Sequence, residues 1–184
     1  MDAHQAAHVR ASKIKLMAFD VDGVLTDGSL YYTDEGVEIK AFNTLDGHGL
    51  KMLQQAGITV AIITGRRARC VELRAQNLGI NHLFQGVENK LEQMQVLLAE
   101  LAIDPEEAGY MGDDVVDLPV MRSLGFSATT ADGHSLMNKY VNFVCTRNGG
   151  RGAAREVCDF ILHAQGKLEL ALANYLTPRQ ADNE

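Results

Sequence analysis

Cysteine is scarce: Cys70, Cys145 and Cys158 are odd in number and form no CxxC pair. That excludes a disulfide framework and a thiolate zinc site, and fits a reducing compartment. Proline is scarcer in its distribution than in its count of 3, because Pro, Gly and Ser nowhere cluster into a linker. The 184 residues are therefore expected to form a single domain, 1–184, around one core. No apolar run approaches the roughly 18 residues of a membrane span, and residues 1–12 lack the apolar centre of a signal peptide. Positive charge is not in excess, since the net charge is -7 and the pI is near 5.3. A basic nucleic-acid surface is excluded, and any cationic patch must be local. No internal repeat or low-complexity tract is present. The expectation is a cytoplasmic, soluble domain whose partners are neither nucleic acid nor membrane.

What the sequence does contain is concentrated at residues 15–28, Lys-Leu-Met-Ala-Phe-Asp-Val-Asp-Gly-Val-Leu-Thr-Asp-Gly. An apolar run too short for a helix breaks into two acids on alternate positions and then glycine, the pattern of a buried strand ending in a tight loop. Alternation along an extended segment puts Asp20 and Asp22 on one side, where a cation or a split of protonation states must relieve their repulsion. This is the arrangement of a metal site or an acid/base pair.

Strands and helices alternate along the rest of the chain. Residues 1–12 read as a loose lead-in or a short helix, and residues 29–32 and 37–42 as the arms of a hairpin about a turn at 33–36. Residues 43–49 read as polar and flexible, followed by helical spacing of Leu50, Met52, Leu53 and Ala56 up to Gly57. A strand at 58–63 ends on Thr64, a helix at 69–78 stops at Gly79, and a short strand covers 82–84. An amphipathic helix begins near Lys90. A strand at 108–111 ends on Gly112, Asp113 and Asp114, and strands at 125–128 and 141–144 flank a short helix. Gly149, Gly150, Arg151 and Gly152 read as a flexible hinge before a helix at 153–165, and the tail 178–184 reads as flexible. The implied class is α/β: a Rossmann-like, mostly parallel sheet with helices on both faces, a small β-hairpin after the first strand and no separate cap domain.

Three of these strands end in polar turns, at Asp20/Asp22, Thr64 and Asp113/Asp114, with Lys90 opening a helix between the last two. In a parallel sheet those ends share one edge and would meet in one pocket. Several acids, a hydroxyl and an ammonium suit a hard divalent cation with oxygen ligands and a phosphoryl group. The order DVDGVLTDG, ITGR, Lys90, GDDVVD resembles the haloacid dehalogenase-like phosphatase superfamily. The resemblance implies Asp20 as nucleophile forming an aspartyl-phosphate, and Asp22 as the acid that protonates the leaving alcohol and then the base that activates water. It further implies that Thr64 bonds the phosphoryl oxygens and that Lys90 holds the nucleophile. Mg2+ would be bound by the carboxylates of Asp20 and Asp113 and the backbone carbonyl of Asp22, with Asp114 and Asp117 orienting the metal's surroundings.

The stretches around residues 39–43, LDGHGL, ITGRRA, GVENKL, GDDVVDLPVM and GGRGAAREVC are similar to a capless family within it, the 3-deoxy-D-manno-octulosonate 8-phosphate phosphatases of lipopolysaccharide sugar biosynthesis. The match covers roughly residues 14–170. It implies a homotetramer in which neighbouring subunits close the site over a small anionic sugar phosphate. It also implies contacts to that substrate from Asp22, Asn43, Thr44, Leu45, Asp46, Gly47, Lys51, Arg66, Arg74 and Lys90. The sequence departs from the pattern at Leu45 and Lys51, where relatives often carry Arg.

Other readings fit less of the chain. An EF-hand calcium loop fails at Val24 and Tyr31. A glycosyltransferase DxD leaves Lys90 and Gly112-Asp113-Asp114 unexplained. A phosphorylated receiver domain uses the same residue types, but its acidic pair precedes the phosphorylated Asp, whereas here it comes last. Thr64 alone would be read as a helix N-cap and Lys90 as solvated surface. A phosphatase for a nine-carbon ulosonate 9-phosphate and a catalytically silent assembly subunit remain the alternatives to the eight-carbon enzyme.

Overall fold

A computed structural model of the chain describes residues 2–176. The strands in chain order are β1 (Leu16–Phe19), β2 (Tyr31–Tyr32), β3 (Glu38–Ile39), β4 (Thr59–Thr64), β5 (His82–Gln85), β6 (Ala108–Met111), β7 (Phe126–Thr129) and β8 (Phe143–Val144). The helices are α1 (Ala3–Ala11), α2 (Thr44–Gln55), α3 (Arg69–Leu78), α4 (Lys90–Leu101), α5 (Leu118–Met121), α6 (Ala153–Ala164) and α7 (Leu168–Leu176). Six strands form one sheet in the order β5-β4-β1-β6-β7-β8, every pairing parallel, while β2 and β3 pair antiparallel as a separate hairpin. This is the expected doubly covered sheet: from β1 the chain runs outward through β4 to β5, then crosses back past β1 to β6 and continues outward through β7 to β8. Among the described residues no helix is long and apolar enough to cross a membrane.

The sequence of β1 explains its place. Leu16, Met17, Ala18 and Phe19 are all fully buried, as a central parallel strand requires. Met17 and Phe19 pack into one apolar layer with Leu50 and Leu53 of α2, Val71 of α3 and Val157 and Ile161 of α6. Leu16 and Ala18 pack into the other with Met94 and Leu97 of α4 and Val120 of α5. Helix α3 has the expected bounds because Gly79 adopts the left-handed conformation that ends it, with φ 70°.

Four segments differ from expectation or resolve an ambiguity in it. The lead-in is a helix, held by an Asp2 cap on the Gln5 amide at 2.7 Å and by buried Ala7 and Ala11. Residues 44–49, read as flexible, are the first half of α2, with the side chain of Asn43 accepting from the Leu45 amide at 2.8 Å as its cap. Glycine at position 49 lowers helix propensity, yet a Cβ there would come within 2.9 Å of Arg155 Cδ and 3.1 Å of Cys158 Cβ on α6. Close packing of two helices decides what propensity does not. The supposed hinge is a packed turn: a Cβ on Gly149 would lie 1.9 Å from the carbonyl oxygen of Gly23, and the Gly150 amide donates to Val24 O at 2.9 Å. Helix α7 was not expected, and its Leu168, Ala171 and Leu172 join the layer containing α2 and α6. The tail 178–184 lies outside the described residues.

Candidate active site

The register of the sheet assembles the site. Phe19 pairs with Ile62 on one side and Met111 on the other, so Asp20, Thr64 and Asp113 leave the sheet at the same edge. Asp20 is 7% exposed and its two oxygens are used separately. Oδ1 accepts from the Val21 amide at 2.7 Å, and Oδ2 lies 2.7 Å from Lys90 Nζ. Lys90 is the first residue of α4, whose N-cap Asn89 accepts from the Glu92 amide. Its ammonium reaches Asp117 Oδ1 at 2.6 Å as well and stands 5.8 Å from the centre of the Tyr110 ring, whose hydroxyl donates to Ile63 O at 2.9 Å.

Asp117 is fully buried, and its second oxygen accepts from the amides of Asp113 and Asp114 at 3.2 and 3.4 Å. Asp114 is exposed and caps the 3-10 turn Val115–Asp117 through the Val115 amide at 2.7 Å. Oxygens of Asp20, Asp113 and Asp117 lie within 4.8 Å of one another. Crowding three acids has an electrostatic cost. Burial first, then the neighbouring carboxylates of Asp20, Asp117 and Asp114, push Asp113 up from 3.8 to about 7. Burial likewise raises Asp20 to about 6 against the pull of Lys90. Burial alone would depress Lys90, but Asp20 and Asp117 outweigh it and hold the ammonium above its ordinary value. An all-oxygen donor set whose members repel one another this strongly fits a hard divalent cation.

Asp22 departs from the alternation argument. The chain turns just after Asp20, with the Leu25 and Thr26 amides both donating to Val21 O at 2.9 and 3.0 Å. The Asp22 carboxylate therefore points to the hairpin instead of joining the acid cluster. Its Oδ1 accepts from Lys40 Nζ, and its Oδ2 is 3.9 Å from Arg66 Nε. Arg66 is tied to the hairpin by Glu38 at 3.2 Å and by Tyr32 Oη at 2.6 Å. Thr64, at the end of β4, is 2% exposed.

The expected substrate contacts divide. Asn43 donates to Gly150 O at 3.2 Å, and its own carbonyl accepts from Arg74 Nη2 at 3.0 Å. Thr44, Leu45 and Lys51 are exposed, whereas Gly47 is buried. Asp46 is 2% exposed and its carboxylate is consumed elsewhere, accepting from the Gly152 and Arg155 amides at 3.2 and 2.9 Å. Gly152, the N-cap of α6, has no side chain of its own, so a residue from α2 closes that helix end. The Asp46 side chain is a helix cap. Sequence reading missed Lys40 and Glu38. The signal was their spacing of two along a strand, which puts both on one face.

Comparison with known proteins bears on this geometry. Residues 35–125 match the haloacid dehalogenase-like hydrolase family. The chain is 51% identical over 162 residues to the 3-deoxy-D-manno-octulosonate 8-phosphate phosphatase of Escherichia coli K12, covering 88% of this chain and 86% of that one. The crystal structure of the phosphatase of the same name from Yersinia pestis superposes with a TM-score of 0.88 at 50% identity, covering 89% of each chain. That of the Moraxella catarrhalis phosphatase, a complex with magnesium ion, phosphate ion and a KDO molecule, has a TM-score of 0.89 at 42% identity and covers 94% of this chain and 97% of that one.

Proposed function

Because this chain belongs to the 3-deoxy-D-manno-octulosonate 8-phosphate phosphatases, a family of haloacid dehalogenase-like hydrolases, we propose that Asp20 is the nucleophile of its phosphomonoester hydrolysis. The protein is a phosphatase that converts the eight-carbon ulosonate 8-phosphate to the free sugar acid and phosphate. An Asp20 carboxylate oxygen attacks phosphorus and the bond to the sugar O8 breaks, with Asp22 giving its proton to O8. Asp22, now a carboxylate, takes a proton from water as the water attacks the aspartyl-phosphate, and Asp20 is freed. The observation that carries this reading is the Lys90 ammonium bridging Asp20 and Asp117 at 2.7 and 2.6 Å. It fixes the orientation of Asp20 and offsets charge arriving with the phosphoryl group.

Magnesium is the cofactor, and Asp20, Asp113 and the backbone carbonyl of Asp22 would hold it. Bound there, it supplies positive charge to the phosphoryl oxygens and relieves the repulsion that raises Asp113. Thr64 donates to the phosphoryl oxygens. Asp117 and Asp114 orient the site through Lys90 and through their own turn. Arg66, Arg74 and Lys51, with residues 43–47 at the start of α2, are assigned to the sugar acid, Asp46 and Gly47 through the backbone. The planar guanidinium of Arg66 suits a carboxylate. The protein is read further as a cytoplasmic homotetramer serving lipopolysaccharide sugar biosynthesis, its exposed hairpin covered by a neighbouring subunit.

The test is phosphate release with magnesium from the eight-carbon ulosonate 8-phosphate, a nine-carbon ulosonate 9-phosphate and simple sugar phosphates. A kcat/KM at least about 10-fold higher for the eight-carbon acid is expected. Preference for the nine-carbon acid would move the protein to another pathway, and no release at all would overturn the reading.

A further inference from the structure

Lys40 follows β3 at the base of the hairpin, and its side chain is 1% exposed. An ammonium so buried is costly unless carboxylates surround it. Here there are two: Lys40 Nζ donates to Asp22 Oδ1 and lies 2.6 Å from Glu38 Oε1. Burial would lower its pKa, but these two bonds prevail and keep Lys40 charged. The other oxygen of Asp22 is in a different state. Asp22 Oδ2 is buried without a hydrogen-bond partner, and Arg66 Nε is 3.9 Å from it. An unpartnered buried acceptor is uncommon and costs free energy. The carboxylate thus has one oxygen saturated by a fixed cation and one left free.

Resting on the assignment of Asp22 as acid and base, we propose that Lys40 is a positioning residue that pins Asp22 through Oδ1 and reserves Oδ2 as the oxygen that exchanges the proton once the Arg66 side chain beside it turns to the substrate and opens it to the site. In the first step the bond from Asp20 to phosphorus forms and the bond from phosphorus to O8 breaks. The electron pair stays on O8, and the proton on Oδ2 passes to it. Asp22 is left a carboxylate whose Oδ1 never leaves Lys40. In the second step the same Oδ2 accepts the proton of the attacking water. Only a rotamer fixed from behind lets one oxygen serve both steps without a search. Because Lys40 is also bound to Glu38, and Glu38 to Arg66, the position of the acid is tied to the hairpin that borders the site.

The test uses the leaving group. p-Nitrophenolate departs without protonation and a sugar alkoxide does not, so a defect confined to the acid separates the two substrates. In Lys40→Met, kcat for the sugar phosphate should fall about 100-fold, while the single-turnover burst of p-nitrophenol stays within about 3-fold of wild type. Lys40→Gln, uncharged and one atom shorter, reads the same split should Lys40→Met not fold. Equal losses on both substrates, as a merely structural role would give, or no loss on either, overturn the proposal. Asp22→Asn is the control: a split there without one in the Lys40 variants rejects Lys40 alone. No split in Asp22→Asn rejects the acid assignment and the proposal with it.

Discussion

The two regions that meet at Asp22 are built on opposite principles. At the strand edge Asp20, Lys90 and Asp117 are 7%, 8% and 0% exposed, and each is held by a neighbour anchored in the sheet or at a helix start. In the hairpin Tyr31, Tyr32, Val37 and Ile39 are 50%, 56%, 59% and 51% exposed, and its two strands have two residues each. A two-stranded ribbon of this kind has little stability of its own, and its apolar residues form an exposed surface patch. The buried sheet edge therefore holds the proposed nucleophile, while the neighbouring hairpin is a weak element. Buried Lys40 is the tie between them.

The largest effect should come from the strand edge. Asp20→Asn is expected to lower turnover by about 10⁴-fold or more while leaving fold and assembly intact, since the amide keeps the shape of the carboxylate. Turnover and a thermal melt of the same preparation decide it, and retained turnover would remove Asp20 as nucleophile.

A smaller effect should be visible in the metal-free protein. Asp113 and Asp20 are raised to about 7 and about 6 in the folded chain from an ordinary 3.8. Above pH 4 the folded state then binds more protons than the unfolded one, so stability must fall as pH rises, from about 4 up to about 7. Melting in EDTA across that range should show the decline, and added magnesium should reverse it increasingly toward neutral pH. A flat profile in EDTA would mean the acids are not mutually strained. Glu38 of the hairpin is shifted the other way by its bond to Lys40, so its contribution is lost only as pH falls below its ordinary 4.5 and adds nothing to this decline.

The smallest effect on the domain should come from the hairpin itself. Replacing Tyr31 and Ile39, which face each other across the ribbon, by Ser should change domain stability by less than about 1 kcal/mol. The same change should lower the sedimentation mass if the ribbon is covered by a second copy. An unchanged mass would leave the hairpin's cover to something else.

Much of this was legible without coordinates. The apolar run into Asp20, the strand ending on Thr64, the helix opening at Lys90 and the strand ending on Asp113 are local patterns of period and punctuation, and a parallel sheet brings such ends together whatever the details. Gly79 marked the end of α3 because left-handed backbone is a local property. The departures share a cause. Gly47 and Gly49 read as flexibility, yet they sit within α2, where Gly49 lets α6 approach. Gly149 read as a hinge, yet it lets a turn press on the Asp20 loop. Asp46 carried no local sign that it would cap a helix more than a hundred residues later.

The sequence by itself determined the class of fold, the order of the motifs and the residue types that meet at the sheet edge, because each is written in neighbours within a few positions. The resemblance already put Lys90 on Asp20, but only the tertiary structure decided the other pairings of acid and cation: Asp117 on Lys90, Asp22 on Lys40. Those pairings depend on where the chain turns after Val21 and on how the hairpin folds back. A charge separated by 18 residues from its partner, as Lys40 is from Asp22, leaves no trace in periodicity, since burial and electrostatics act through space and not along the chain.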